Sequence, residues 1–351
     1  MMPSSIALRP TLTPFKQFYA NQFGTKPQPP PRGTTFASKT AIITGSSSGI
    51  GQECARQMLD LNLSHLIMAV RNPAKGEAIA KELRKGHPMA VVDVWKLDML
   101  HYASIQAFAE KCERELRRLD IVILNAGGSN QAFKVNKETG HEESLQLNYL
   151  SNALLGTLLL PVLKNKRSPG AGPGRMLFVS SALGVTSKFS NVAADPLLPS
   201  FTEPYVSGKE QWNLGAAQER YSMTKTLVNM FIYKLSTLVS ADDVIIDGVE
   251  PGYTKGSGLD ADVTGVLKWV LWVVKSLVAR TLEHAAWTYI DAVDTKGKES
   301  HGCFLMCYRN WPFHALMYTP EGEAATERLW KETMDELDFA GVRGIVESMK
   351  H

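Results

Sequence analysis

This chain contains few cysteines and carries a small net charge. Its 351 residues include four cysteines, Cys54, Cys112, Cys303 and Cys307, and none of them shows the paired spacing of a metal site. So few thiols favour a reducing compartment, the cytoplasm, and we expect them to be buried as small hydrophobic residues. The 38 basic and 35 acidic residues give a net charge of +3, without a basic block that contains aromatic residues. The composition therefore predicts neither a bound metal nor a nucleic-acid partner.

The first 36 residues lack the charged start and the apolar run of a secretory signal. They contain instead an aromatic stretch with helical spacing, formed by Phe15, Phe18, Tyr19 and Phe23, and a proline-rich spacer at residues 27–31. We expect this extension to dock on the main domain. Contact with a membrane surface is the alternative.

A glycine-rich turn follows the first strand pattern. The run Lys39–Thr44 is typical of a buried strand, and the sequence Gly-Ser-Ser-Ser-Gly-Ile-Gly follows it directly at residues 45–51. Apolar residues then recur at helical spacing over Gln52–Leu61. Because backbone amides and the positive end of a helix dipole attract phosphates, this strand–turn–helix order predicts a pyrophosphate site. The candidate contacts are Gly45, Ser47, Ser48, Gly49, Ile50 and Gly51.

A tyrosine and a lysine four residues apart form the second functional pattern. Tyr221 and Lys225 lie in the sequence Tyr-Ser-Met-Thr-Lys, and this spacing stacks both side chains on one face of a helix. A phenol has a pKa of roughly 10 in water, and an adjacent ammonium group favours its ionised form. We therefore expect Lys225 to lower the pKa of Tyr221 and make the phenol a proton-transfer group.

The Thr-Gly-x-x-x-Gly-x-Gly spacing at residues 44–51, together with the Tyr221/Lys225 pair, resembles the short-chain dehydrogenase/reductase family. This resemblance implies an α/β fold, a Rossmann-type doubly wound parallel sheet, as a single domain over residues 38–351 after an extension over residues 1–37. The C-terminal part looks like fungal members that act in secondary-metabolite tailoring.

Further motifs of the family follow in the expected order along the chain. Asp98 follows a third strand pattern and matches the aspartate that meets the adenine ring, and Asn148 matches the asparagine that holds a proton-relay water. Lys225 would also bind the nicotinamide ribose. The other cofactor contacts that the resemblance implies are Asn125, Ala126, Gly127, Tyr221, Pro251, Gly252 and Thr254.

The end of the second strand pattern, Leu66–Val70, indicates the choice of cofactor. An acidic residue at this position binds the ribose 2′-hydroxyl of NAD. This chain has Arg71 there instead, and a guanidinium group pairs well with the 2′-phosphate of NADP. The sequence thus predicts NADP(H).

The adjacent serines Ser180 and Ser181 point to opposite sides of an extended strand, so only one of them reaches the active site. The family pattern favours Ser181 as the residue that binds the carbonyl oxygen. Tyr221 follows 40 residues later, and the added stretch at about 185–220 looks like the inserts of retinol-dehydrogenase-like members and of carbonyl reductases. Such an insert supplies apolar groups to a substrate wall, and it favours a monomer over a homodimer.

A second apolar stretch, with Trp269 and Trp272, is too short for a membrane span. By resemblance to the family, the segment at about 255–280 would be a substrate lid, and its aromatic character favours a lipophilic substrate. Packing of this segment into the core is the alternative. His301 is interpreted as a structural residue, because the catalytic acid is already supplied by Tyr221.

These residues predict an NADP(H)-dependent oxidoreductase that reduces a ketone or aldehyde of a lipophilic substrate, or oxidises the corresponding alcohol, in secondary-metabolite biosynthesis. Ser181 would bind the carbonyl oxygen, and Tyr221 would deliver the proton with support from Lys225 and Asn148. Two other functions fit the same fold: a non-redox tailoring reaction such as dehydration, isomerisation or cyclisation, and a non-catalytic binding or scaffold role. The complete catalytic set argues against the scaffold role. Consumption of the cofactor distinguishes redox from non-redox chemistry.

Overall fold

The computed structural model describes residues 4–168, 170–256 and 278–350. Most of the segment that the sequence predicts as a substrate lid, including Trp269 and Trp272, therefore lies outside the described residues.

A largely parallel sheet forms the centre of the protein. In the described part of the chain it has eight strands in the order β3-β2-β1-β4-β5-β6-β7-β8. The pairs from β3 to β7 are parallel, and β7 and β8 form an antiparallel pair. The strands are β1 (Thr40–Thr44), β2 (His65–Val70), β3 (Val91–Lys96), β4 (Ile121–Leu124), β5 (Gly174–Val179), β6 (Val244–Val249), β7 (Phe304–Met306) and β8 (Arg309–Trp311). Because the strand order reverses between β1 and β4, the predicted doubly wound α/β fold is confirmed.

Helices cover both faces of this sheet. Their bounds are α1 (Ser4–Ala7), α2 (Pro14–Tyr19), α3 (Gly49–Asp60), α4 (Pro73–Gly86), α5 (Tyr102–Glu115), α6 (Glu143–Leu145), α7 (Ser151–Asn165), α8 (Glu203–Val206), α9 (Leu214–Ser236), α10 (Leu282–Asp294), α11 (Pro320–Glu336) and α12 (Val342–Met349). Two π-helical turns, Ala20–Gly24 and Gln146–Leu150, continue α2 and α6.

Alternation along β1 places its side chains in two separate cores. Ile42 belongs to the larger core, with residues of α5, α7, α9 and α11, whereas Ile43 belongs to the smaller core, with residues of α3, α4 and α10. All four cysteines are buried and none of them forms a disulfide, as expected for small hydrophobic residues. His301 is buried as well: its Nδ1 accepts the amide of Ile246 at 3.1 Å, and its Nε2 lies 3.0 Å from two carbonyls. These contacts support its structural interpretation.

The N-terminal extension docks on the domain mainly through polar side chains. Helix α2 and its π-helical turn bury Gln17, Asn21 and Gln22. Of the aromatic stretch, Phe18 lies against Tyr253 with ring centres 6.5 Å apart, whereas Phe15 is 75% exposed and Tyr19 58%. This polarity reflects the surface beneath, where a buried carboxylate and open backbone groups require hydrogen-bond partners. Among the described residues, we find no helix with the length and apolar character that a bilayer crossing requires.

Candidate functional site

Helix α9 carries the tyrosine and the lysine of the candidate site. It begins at Leu214, where the Asn213 side chain accepts the backbone amide of Ala216 at 3.0 Å. The Lys225 Nζ atom lies 5.7 Å from the centre of the Tyr221 ring, so the spacing of four residues does bring the pair together. The ammonium group donates a hydrogen bond of 2.7 Å to the carbonyl of Val179, at the end of β5.

The electrostatics of this pair differ from the expectation. Burial raises the pKa of Tyr221 to about 12, although a hydrogen bond with Ser181 lowers it, and the charge of Glu250 raises it further. Burial also lowers the pKa of Lys225 to about 8. The expected lowering of the Tyr221 pKa by Lys225 is therefore wrong for the protein alone, because both groups are desolvated and the ammonium group points at the Val179 carbonyl.

The two adjacent serines separate as an extended backbone requires. Ser180 is buried, and its hydroxyl donates to Asn229 Oδ1 at 2.9 Å, behind α9. Ser181 lies on the other side, where its hydroxyl accepts the amide of Leu183 at 3.2 Å and is close enough to the Tyr221 phenol to lower the pKa of that phenol. The structure thus places Ser181, and not Ser180, beside Tyr221.

Asn148 occupies the π-helical turn before α7. Its Oδ1 accepts the Gly128 amide at 2.8 Å, and its Nδ2 donates to the Gly128 carbonyl at 2.8 Å and to Thr224 Oγ1 on α9 at 3.1 Å. A Cβ atom added to Gly127 would lie 2.9 Å from Asn148 Oδ1 and 3.4 Å from Lys225 Nζ. Asn148, Gly127 and Lys225 therefore meet at one point beside the end of β4.

The glycine-rich turn has the shape of a phosphate cradle. Gly45 and Gly49 have φ angles of +67° and +60°, in the left-handed region that favours glycine. Helix α3 begins at Gly49, three residues before the predicted start, so the last part of the turn is already helical. Ser48 is the N-cap of α3 but forms no side-chain capping bond, and the buried Ser46 hydroxyl has no hydrogen-bond partner in the described structure. Free hydroxyls and amides at a helix N-terminus fit a bound phosphate group.

The other predicted cofactor contacts also lie at the carboxyl end of the sheet. Asn125 links β4 to β1, since its Nδ2 donates to the Thr44 carbonyl at 2.9 Å, and Ala126 donates its amide to Thr44 Oγ1 at 2.8 Å. Asp98 follows β3, and its Oδ1 accepts the Leu100 amide at 3.1 Å. These bonds hold the strand ends in register around the cradle.

Arg71 directly follows β2 and is exposed. It forms no hydrogen bond or ion pair with any described residue, whereas its neighbour Asn72 caps α4 by accepting the Lys75 amide at 3.1 Å. A guanidinium group without a protein partner at this position fits an anionic ligand.

Pro251 and Gly252 follow β6, and Thr254 lies two residues beyond them. The Thr254 hydroxyl is buried and donates to the Gly252 carbonyl at 2.8 Å. Because the Thr254 hydroxyl donates within the loop, backbone groups of the loop are more accessible to a cofactor than this side chain is.

Sequence reasoning missed four polar residues behind this loop. Glu250, Arg280, Asn21 and Gln22 form a buried network between the extension and the loop after β6. The only signal in the sequence is the polar spacing of Gln17, Asn21 and Gln22 in a helical stretch.

The insert before Tyr221 contributes Tyr205 and Trp212 to an aromatic cluster with Phe133 of the segment after β4, with ring centres 5.1–5.3 Å apart. The buried Arg220 lies 5.4 Å from the Tyr205 ring centre and 5.7 Å from that of Trp212. Arg220 also pairs with the buried Glu142 at 3.4 Å. The insert is thus anchored to α9 at the residue next to Tyr221.

Known proteins resemble this chain in sequence and in fold. A family model described as short chain dehydrogenase matches residues 39–193. The short chain dehydrogenase/reductase mfmJ of Annulohypoxylon moriforme is 49% identical and covers 99% of both chains, and the short chain dehydrogenase virL of Hypocrea virens is 40% identical over 95% of this chain and 94% of its own.

Solved structures share the fold at low sequence identity. An NADPH-dependent 3-quinuclidinone reductase from Rhodotorula rubra has a TM-score of 0.58 at 17% identity, with 81% of this chain and 96% of that chain covered. The Pseudomonas aeruginosa RhlG/NADP complex has a TM-score of 0.57 at 20% identity, covering 82% and 98%. Because mfmJ and virL are 49% and 40% identical to this chain over nearly its full length, this chain belongs to the short-chain dehydrogenases/reductases.

Proposed function

We propose that this protein is an NADP(H)-dependent oxidoreductase that reduces a ketone or aldehyde of a lipophilic substrate, or oxidises the corresponding alcohol, in secondary metabolism. The observation that carries the proposal is the meeting of Ser181, Tyr221, Lys225 and Asn148 at the carboxyl end of the sheet, where Ser181 lies close enough to Tyr221 to lower the pKa of its phenol. The 49% identity to the short chain dehydrogenase/reductase mfmJ supports the oxidoreductase reaction.

NADP(H) fits the residues of the carboxyl edge. The turn at Gly45–Gly51 would hold the pyrophosphate, Asp98 the adenine and the unpartnered Arg71 the 2′-phosphate. The RhlG structure is a complex with NADP, and the 3-quinuclidinone reductase is NADPH-dependent. When bound, the cofactor would supply the hydride.

The chain's own residues would supply orientation and the proton. Ser181 donates a hydrogen bond to the substrate oxygen, which fixes the carbonyl beside the phenol of Tyr221. Tyr221 delivers the proton to that oxygen, and its raised pKa keeps the phenol protonated near neutral pH until it does so. Lys225, beside the ring, would bind the nicotinamide ribose. Asn148 ties the turn after β4 to α9 and so holds Lys225 in place.

The aromatic cluster of Phe133, Tyr205 and Trp212 supports a lipophilic substrate. These rings are partly exposed and stand beside Arg220, which precedes Tyr221. Leu214, at the start of α9, is 50% exposed on the same insert. Apolar groups with a few polar ones are the usual lining of a small-molecule site.

Binding of NADPH and NADH, followed by NADPH oxidation with a panel of lipophilic ketones and aldehydes, tests this proposal. We expect NADPH to bind at least tenfold more tightly than NADH and to be oxidised with some panel members, because a charged hydrogen bond contributes about 1.5–3 kcal/mol. Substrate conversion without NADPH oxidation would instead establish the non-redox alternative. Absence of binding by both nucleotides would contradict the enzyme proposal and favour a scaffold.

Arg71→Ser supplies the matched variant for cofactor choice. It should weaken NADPH binding about 10- to 100-fold and leave NADH binding unchanged, since only NADPH carries the 2′-phosphate. Arg117→Ser, at an exposed arginine before β4 and hence at the opposite end of the sheet, is the control. Equal losses for both nucleotides would contradict the role of Arg71.

We also propose peripheral membrane contact through the outward face of α2. Phe15, Tyr19 and Phe23 are exposed, and the first 52 residues contain five basic and no acidic residues, a charge that complements anionic lipids. The protein should sediment with anionic vesicles and several-fold less with neutral ones, and Phe15→Ser/Tyr19→Ser should reduce this binding. Met89→Ser, at a methionine 94% exposed elsewhere, is the control. Equal sedimentation of all variants would contradict the contact.

A further inference from the structure

A buried carboxylate connects the end of β6 with the loop that carries the candidate catalytic serine. Glu250 directly follows β6 and is only 5% exposed. The backbone amides of Gly252 and of Ala182, the residue after Ser181, lie close enough to its carboxylate to lower its pKa. One side chain thus lies between the Ser181 loop and the Pro251-Gly252 turn.

The N-terminal extension supplies a further partner of this carboxylate. Asn21 Nδ2 donates to Glu250 Oε2 at 2.7 Å, although the two residues are 229 positions apart in sequence. The Asn21 carbonyl accepts a hydrogen bond from Arg280 Nη2. Asn21 is only 3% exposed, so the extension forms part of the interior at this point.

Arg280 provides the opposite charge. Its side chain is 5% exposed and lies against Gly252, where an added Cβ atom would be 2.7 Å from Arg280 Cδ. Burial raises the pKa of Glu250, whereas the charge of Arg280 and the hydrogen bond from Asn21 lower it. A carboxylate with these partners is held in one position, because leaving any of them unpaired in the interior is costly.

Gln22 extends the connection to both sides of the loop after β6. Its Oε1 accepts the Tyr253 amide at 3.1 Å, and its Nε2 donates to the carbonyls of Tyr253 at 3.1 Å and Val278 at 2.6 Å. The Tyr253 carbonyl also accepts the Arg280 amide at 2.8 Å. Asn21 therefore binds a side chain next to the loop after β6, and Gln22 binds backbone groups at both ends of that loop.

We infer that Glu250 is a positioning residue for Ser181, and that Asn21 of the N-terminal extension holds the Glu250 carboxylate in place. The extension is then an integral part of the active-site scaffold. The inference rests on the proposed function for its kinetic consequence. Its structural consequence, ordering of the Ser181 loop by Glu250 and Asn21, holds for the protein alone.

Glu250→Gln and Asn21→Ala in the full-length protein test this inference. Each should lower kcat about 10- to 100-fold, since small displacements of a positioning group have effects of this size, while KM and the Kd for NADPH change less than about threefold. Hydrogen exchange of the free protein should be faster at the Ala182 and Gly252 amides and over residues 14–24. Asn21→Ala keeps the test decisive if Glu250→Gln does not fold.

Asp247→Asn is the matched control, because Asp247 is a second buried carboxylate on β6, bonded to Ser300 Oγ at 2.9 Å and without a bond to the Ser181 loop. It should reduce thermal stability without a selective loss of kcat and without faster exchange at Ala182. Unchanged exchange at Ala182 in both Glu250→Gln and Asn21→Ala would overturn the inference. A wild-type protein that oxidises no NADPH would instead refute the proposed function and leave the exchange result as the test of the scaffold.

Discussion

Tyr221→Phe is expected to lower turnover by about 10²–10⁴-fold, the usual contribution of a positioned proton donor. The substitution removes the phenol hydroxyl beside Ser181 and leaves the ring, its burial and the nearby Lys225 ammonium unchanged. Binding of NADPH should therefore persist with little change in Kd. Single-turnover NADPH oxidation and a nucleotide titration on the same preparation measure the two quantities separately.

Tyr233→Phe is the matched control for this prediction. Tyr233 lies on the same helix, three turns after Tyr221, and its ring packs on Phe313 with centres 6.1 Å apart. This variant should retain wild-type turnover. If Tyr221→Phe also retained turnover, the proton would have to come from another group, and the role proposed for Tyr221 would be wrong.

The strands and the glycine-rich turn were predictable because their signals are local. The runs that predicted β1 and β2 are β-branched or apolar, and the observed strands end at the predicted residues Thr44 and Val70. The Tyr221/Lys225 proximity follows from helical periodicity alone, and the separation of Ser180 from Ser181 follows from strand alternation. Helix α3 begins earlier than predicted because its first turn contains Gly49 and Gly51, and glycines are more typical of a turn than of a helix.

The parts of the site that escaped prediction depend on distant contacts. Asn21 and Arg280 are 259 positions apart, and no sequence pattern links them to each other or to Glu250. The raised pKa of Tyr221 likewise results from burial, which is a property of the assembled fold. The aromatic stretch of the extension predicted an apolar packing face. The loop beneath it is polar, so the buried residues of this helical segment are Gln17, Asn21 and Gln22.

Gly51→Ala is expected to weaken dinucleotide binding about 10- to 100-fold. A Cβ atom at this position would lie 2.5 Å from Asn125 Nδ2 and 2.9 Å from the Gly45 carbonyl oxygen. Relief of these overlaps requires α3 to move away from the turn or Asn125 to release the Thr44 carbonyl, which it binds at 2.9 Å. Overpacking of this kind typically costs 1–3 kcal/mol, about 10- to 100-fold in an equilibrium constant. Nucleotide titration and the melting temperature measure the loss.

Gly86→Ala separates this steric effect from a general effect of a methyl group on a helix. Gly86 is the last residue of α4, and an added Cβ would have no heavy atom within 4 Å. This variant should bind NADPH as the wild type does and should be as stable or slightly more stable, because alanine restricts the unfolded chain. Wild-type affinity in Gly51→Ala would show that the turn tolerates a side chain at this position, and the close packing of α3 on Asn125 would then not be what shapes the cradle. Loss of affinity in Gly51→Ala alone would place the binding site at this turn, because the two variants add the same methyl group to two helices and differ only in what that group meets.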